Sequence, residues 1–395
     1  MPIVIYVFSL CTFTFGLSEF VVAGLVSAMA EDLGTSAAVA GSAVAAYALG
    51  AAIGAPLLTA WLLGQRERTS LALALVVLAT GSFAFACAEQ WVSMNLIRLG
   101  IGLVHGMFMA VAADVAVKLV DPARAGRALS LVWLGLTLAL ALGVPLGTLL
   151  GSLWSWRAIF VGLGLLGLCS LFGLLKLMPR HPPPMLVDGS RMAGLATLWQ
   201  WPLLAAACLA MLVSMATFSF LTYVSPFVLR VTHGDVPLLS LAMLMFGLAT
   251  LVGNLLAGHL ADRYEVVRCL KVALVLLVLN LVLLYLARAQ TWAVVSLVGA
   301  LGGLFFAIVT LSTLRLLGLA KQLAPEATGI ASGVSIAAFN LGTALGGAMG
   351  GWCIHQVGLA YLPLTGAACA LLALGVLQAQ ASEGRASMLR SGLQR

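Results

Sequence analysis

The stretch YVFSLCTFTFGLSEFVVAGLVSAMA, Tyr6 to Ala30, carries a single charged residue, Glu19. Its length is what an α-helix needs to cross the hydrocarbon core of a bilayer. A carboxylate near the middle of such a span costs at least ~2.5–3.5 kcal/mol even on lenient insertion scales. An acid kept there faces an internal cavity and has a task, most often carrying a proton. The alternative is a structural acid pinned by a neighbouring hydroxyl such as Ser18.

The rest of the chain agrees with a membrane reading. Hydrophobic residues make up 62% of its 395 residues and charged residues only 8%, with a mean hydropathy of +1.12. A soluble fold has about 25% charged residues. Cys11, Cys87, Cys169, Cys208, Cys269, Cys353 and Cys369 are scattered through apolar stretches without CxxC or Cys/His spacing. They read as small core residues, neither disulfides nor metal ligands. The net charge of +7 reads as orientation in the membrane rather than nucleic-acid binding. The N-terminus lacks the basic region and cleavage site of a signal peptide, so the first stretch is expected to stay as a span.

Apolar stretches of about 20 residues predict an all-α polytopic protein with twelve transmembrane helices. Their approximate bounds are 4–29, 39–63, 70–88, 92–117, 127–151, 157–178, 203–228, 237–261, 269–287, 293–317, 327–352 and 359–379. With the N-terminus inside, the cytoplasmic segments hold fifteen Lys and Arg, whereas the outside holds three, Arg157, Arg230 and Arg288. The positive-inside rule then makes both termini cytoplasmic. Arg98 and Arg315 fall within spans.

The stretch RHPPPMLVDGSRMAGLATLWQW, Arg180 to Trp201, is the longest polar break and contains three successive prolines. It reads as a cytoplasmic linker, 179–202, between six-helix halves at 1–178 and 203–380, with a cytoplasmic tail at 381–395. DPARAGRA, Asp121 to Ala128, lines up with APEATGIA, Ala324 to Ala331. The same offset pairs Gly143 with Gly346 and Gly147 with Gly350, and a smaller echo pairs Gly54 with Gly253. Parallel repeats around a midplane site are a transporter pattern.

Span 5 ends in GVPLGTLLG, which puts Gly143, Gly147 and Gly151 on one helix face and Pro145 at a local bend. Spans 2 and 11 carry similar stripes, Gly50 with Gly54, and Gly342, Gly346 and Gly350. Such stripes serve tight packing; in matched positions of two repeats they suggest a sliding or rocking interface between halves.

These motifs jointly resemble the major facilitator superfamily, in its twelve-span drug:proton antiporter branch. GVPLGTLLG resembles that branch's span-5 antiporter motif, and RLGIGLVHGMF, Arg98 to Phe108, its span-4 motif with the buried arginine. GHLADRYEVVR, Gly258 to Arg268, resembles the signature loop, with Gly258, Asp262 and Arg263 at its key positions. GLSEFVVAGL, Gly16 to Leu25, and AFNLGTALGGAMGG, Ala338 to Gly351, resemble the arabinose-efflux-type (AraJ/YdhP-like) permeases. The opening MPIVIYV together with SEF resembles bacterial chloramphenicol exporters. The likeness covers nearly the whole chain and names no substrate. One departure stands out. The loop between spans 2 and 3 reads GAPLLTAWLLGQRER, Gly54 to Arg68, with Leu63 where the signature acid belongs and Thr59 where its glycine belongs. In the superfamily that acid helps latch one conformation. Asp114, near the inner end of span 4, is a candidate partner for Arg66 and Arg68. Equally, it is a candidate for a simple helical pair with Lys118, worth about 0.2–0.5 kcal/mol.

Arg98 and His105, seven residues apart, share a helix face. At 1.5 Å per residue Arg98 lies ~11 Å in from Trp91, His105 ~21 Å in, and Glu19 ~18 Å in from Glu31. Burial favours the protonated carboxyl and a neighbouring guanidinium favours the carboxylate, so movement of one against the other can load and release a proton. The alternatives are an Arg98 bonded to backbone carbonyls and a His105 that is merely packed. The superfamily resemblance adds Tyr47, Trp133, Phe218, Tyr223, Phe305 and Asn340 as candidate lining of a central substrate cavity. No acid lies deep in the C-terminal half, so any coupling belongs to Glu19, Arg98 and His105.

The resulting expectation is a multi-pass permease of the bacterial inner membrane that exchanges a proton for a small solute, such as a sugar or a chloramphenicol-like drug. It would be driven by the proton motive force with no cofactor or metal, would bind no nucleic acid, and would be a monomer as the superfamily default. Uptake or uncoupled facilitation on the same fold is the nearest alternative. A non-transporting sensor is disfavoured by short, featureless tails, and an enzyme by the lack of any Ser/His/Asp, Cys/His or metal constellation.

Overall fold

The computed structural model describes residues 1–61, 65–121, 124–179, 201–323 and 328–392. Apolar runs form twelve long helical segments among them. In chain order these are α1 (Ile3–Asp32), α2 (Ala37–Ile53), α3 (Glu67–Ala86), α4 (Trp91–Lys118), α5 (Ala125–Leu138), α6 (Trp156–Leu177), α7 (Trp201–Leu221), α8 (Val236–Arg263), α9 (Val266–Leu286), α10 (Thr291–Leu323), α11 (Thr328–Gln356) and α12 (Leu362–Gly392). Among the described residues eleven helices are long and apolar enough to cross a membrane. The remaining segment, α11, is 29 residues long and rich in Gly, Ala, Ser and Thr. Helix starts follow local chemistry. Ser36 caps α2 through the Val39 N–H at 3.3 Å, and Asp235 caps α8 through that of Leu238 at 2.9 Å.

Three segments depart from regular α geometry at prolines. α2 continues through a π turn at Gly54–Leu58, which contains Pro56, and α5 through one at Ala139–Gly143, just before Pro145. Beyond α7 a further π turn, Phe227–Val231, follows Pro226. A proline lacks the N–H that the preceding turn needs, and the helix widens to redistribute its carbonyls.

The glycine stripes of α2 and α11 do bring backbones together and that of α5 receives side chains, but all within each set of six helices. A methyl on Gly50 or Gly54 would strike the backbone of Leu99 or Leu103 on α4, and one on Gly102 the carbonyl of Tyr47 on α2. Gly143, Gly147 and Gly151 face Leu17, Val21 and Leu25 of α1, whereas Gly342, Gly346 and Gly350 face Met211, Met215 and Ser219 of α7. Gly253 meets the backbone of Gly303 on α10 as Gly54 meets α4. The residues paired by the internal repeat thus occupy equivalent packing positions. The expectation that these stripes form the sliding surface between halves is corrected: their close approaches are spent inside each half.

Other residues make the seam between the first and last six helices. The Ser240 hydroxyl on α8 donates to the Pro145 carbonyl at 2.8 Å, and the Ser27 N–H points at Ser225 Oγ at 3.4 Å. Gly247 stands against the backbone of Leu140 and Ala141 in the π turn of α5, and Gly347 and Gly351 stand against Ala45 and Ala38 of α2. All lie toward the end of the bundle bearing the loops at 33–36, 154–155, 232–235 and 357–361, the predicted outer end. Among the described residues no hydrogen bond or ion pair joins the two sets at the opposite end.

Residues 180–200 of the linker, Leu63, and the first four residues of the Ala324-to-Ala331 repeat lie outside the described residues. The segment read as a tail from 381 continues α12 to Gly392.

Candidate functional site

Glu19 sits midway along α1, and its side chain retains 15% exposure. His105 on α4 lies beside it, with Nδ1 3.7 Å from Oε2. Arg98, two turns away on α4, is wholly buried. Its guanidinium is consumed by backbone. Nε donates to the Ala43 carbonyl at 3.2 Å, Nη1 to the Ser18 carbonyl at 2.7 Å and hydroxyl at 3.2 Å, and Nη2 to the Glu19 carbonyl at 3.4 Å. The Tyr47 ring lies 4.1 Å beneath it. Arg98 therefore ties α1, α2 and α4 together, and Glu19 has no fixed cation on its carboxylate.

Tyr47 is fully buried between these groups. Its hydroxyl lies 3.0 Å from His105 Nδ1 and 3.3 Å from the Phe15 carbonyl. The His105 ring stacks on Phe15 at 4.8 Å and 5°. Tyr47, read from the sequence as cavity lining, belongs to this ionisable cluster.

Across the seam the wall is aromatic. Phe20, next to Glu19, approaches Phe218 on α7 at 6.1 Å, and Phe218 meets Phe305 on α10 edge-on at 5.6 Å. Phe305 continues to Phe339 on α11 at 6.4 Å. Asn340 is half-buried and spends its Nδ2 on the Ile336 carbonyl, one turn back. Phe20 and Phe339 escaped the sequence reading, although each adjoins a residue it named. Trp133 is half-buried among the α1–α4 packing. Tyr223 donates to the Gly347 carbonyl at 2.8 Å and lines a cleft of about 320 Å³ with Ser42, Trp91 and His355.

The motif residues lie near the bundle ends. Asp114 pairs with Lys118 at 2.5 Å, and Lys118 reaches Glu67 at the start of α3 at 3.0 Å. Arg68 instead donates to the Leu175 carbonyl. Of the two candidate partners for Asp114, the structure has Lys118; Glu67 went unnoticed because its role needs a third helix. Asp262 and Arg263 are exposed at the end of α8 without an ion pair among the described residues, and Gly258 has open space around it. No cluster among the described residues has the makings of a metal site.

The Major Facilitator Superfamily model matches residues 8–230 and again 206–381. The chain belongs to the major facilitator superfamily. The inner membrane transport protein YdhP of Escherichia coli (strain K12) is 33% identical over 363 residues, 92% of either chain. A probable sugar efflux transporter of Helicobacter pylori (strain ATCC 700392 / 26695) is 31% identical over 375 residues, 94% of this chain and 93% of the relative. The fold resembles that of a D-xylose–proton symporter, with TM-score 0.75 at 16% identity over 95% of this chain and 96% of that one. It also resembles the nucleoside transporter NupG, with TM-score 0.74 at 13% identity over 95% and 98%. This superfamily member is accordingly a multi-pass membrane transporter of small molecules and not an enzyme. The AraJ/YdhP-like resemblance read from its motifs is borne out.

Proposed function

We propose that this transporter is a proton-coupled efflux permease of the bacterial inner membrane, exchanging an external proton for a small internal solute by alternating access. The observation that carries this reading is Glu19: a mid-span carboxyl with residual exposure, beside His105, while Arg98 is tied to backbone. An acid without a fixed counter-ion is free to load and release a proton. The names of the relatives support efflux and a sugar as one substrate class; a chloramphenicol-like amphiphile suits the aromatic wall of Phe20, Phe218, Phe305 and Phe339 equally. One proton per cycle sustains roughly a fifty-fold gradient of a neutral solute per 100 mV.

In this reading twelve spans form six-helix halves at 1–178 and 203–380, joined by a cytoplasmic linker at 179–202, with both termini cytoplasmic and the chain a monomer. The closed outer seam, and an Asp262 without an ion pair among the described residues at the other end, suit a state open to the cytoplasm. Phe218, Phe305 and Asn340 then line the substrate path with Phe20. Pro145 and the π turn before it form the outer gate with Ser240 and Gly247.

The test is transport in proteoliposomes reading internal pH, wild type beside Glu19→Gln, with arabinose, chloramphenicol and a purine nucleoside. Substrate-evoked proton movement in wild type, absent in the variant, is the expected result. Substrate flux unchanged by the substitution would make Glu19 structural and leave a facilitator.

A further inference from the structure

We propose that His105 reads the protonation state of Glu19, with Tyr47 as the positioning residue that competes with Glu19 for the same N–H. This rests on Glu19 as the proton carrier. His105 Nδ1 faces two oxygens, Tyr47 Oη at 3.0 Å and Glu19 Oε2 at 3.7 Å. Nε2 is buried with no partner among the described residues. A neutral imidazole carries one N–H, and an orphaned buried N–H is rarer than an under-satisfied acceptor. The proton is therefore assigned to Nδ1. It donates to Tyr47 Oη, and the tyrosine hydroxyl donates onward to the Phe15 carbonyl at 3.3 Å. A second proton on the ring would place a charged N–H at Nε2 with no acceptor, so His105 stays neutral.

The competition has two outcomes. With Glu19 protonated, the Nδ1–H rests on the nearer oxygen, Tyr47 Oη at 3.0 Å. When the proton leaves Glu19 for water, the carboxylate becomes the stronger acceptor, since charge-assisted hydrogen bonds are about twice as strong as neutral ones. Closing from 3.7 Å to hydrogen-bond range takes a shift of under ~1 Å. The ring is stacked on Phe15 of α1 and linked to Tyr47 of α2, so its shift changes how α4 is tied to both. His105 keeps its proton throughout, and only Glu19 changes charge.

Few other groups bear on this acid. Arg98 and His105 face it from α4 and Tyr47 from α2. Among the described residues, α5, α6 and α8, which also pack on α1, carry their charged side chains near the bundle ends, Arg127, Arg157, Lys176, Asp262 and Arg263 among them.

The experiment is a pH titration of the ¹⁵N-histidine-labelled full chain by NMR, which needs no substrate. His105 is assigned by the signal lost in His105→Gln. The expected result is a protonated Nδ1 and bare Nε2 at every pH, with one step in the Nδ1 shift. That step is lost in Glu19→Gln, and its amplitude at least halves in Tyr47→Phe, where Glu19 is the sole acceptor left. Unchanged signals from the other four histidines establish that the variants are folded. A proton on Nε2, a step that survives Glu19→Gln, or an unaltered amplitude in Tyr47→Phe each overturns the proposal. Failure of proton coupling itself shows separately, as transport indifferent to Glu19→Gln in the proteoliposomes.

Discussion

Arg98 illustrates how far one residue can be read and where reading stops. A buried guanidinium was expected at this depth, and backbone carbonyls stood as the alternative to an ion pair with Glu19. The carbonyls of Ser18, Glu19 and Ala43 are its partners. Which of the two holds depends on where α2 lies relative to α1, and no spacing within α4 contains that. Truncation removes the charge-assisted hydrogen bonds to these helix carbonyls, worth about 1.5–3 kcal/mol each. Arg98→Ala should therefore lower the thermal unfolding temperature in detergent markedly. Arg98→Lys keeps the charge but not the three-way fork, and should fall between Ala and wild type. Equal melting of all three by fluorescence would refute a clamp.

Among the elements, the close contact of α2 with α4 bears on stability and the π turn of α5 on the proposed gate. Gly102 packs against the Tyr47 carbonyl, and Gly106 against that of Ala51. Gly102→Val must push the helices apart beneath Arg98, so folded yield should fall well below that of Gly100→Val, where a Cβ meets nothing within 4 Å. Size-exclusion profiles of the two variants decide it. The helices were legible because span length and apolarity are properties of one segment, and so was the need for close approach at the stripes. The partner of each stripe was not, because a face of small residues fits any helix. The π turns were hidden similarly: Pro145 announces a bend, but its widening is stabilised by Gly247 and Ser240 from 95 or more residues away. In the central site the acid and cation were visible as violations of apolarity. Phe20 and Phe339 were not, because a phenylalanine in a membrane span violates nothing.

For the whole molecule, the two sets of six helices meet at the predicted outer end through Ser27 with Ser225 and Ser240 with Pro145. Paired cysteines at positions 27 and 225 should crosslink with a short reagent and halt transport, with recovery on reduction. Crosslinking that leaves transport intact would mean this seam does not open in the cycle. The ion pairs at the opposite end, Lys118 with Glu67 and Asp114, stay within the first set, so removing Glu67 should alter stability without freeing the seam. A protease-protection assay on tagged termini checks their cytoplasmic placement.

The composition of that outer seam has an electrical consequence. Serine, glycine, alanine and a proline carbonyl meet there, and none of them bears a formal charge. Parting them shifts no gating charge through the transmembrane field, and Arg98, held to the backbone of its own helices, has no freedom to migrate on its own. In the proposed cycle the membrane potential then has one handle on this protein, the proton carried by Glu19. Exchange of a neutral solute by Glu19→Gln should run at the same rate at every voltage.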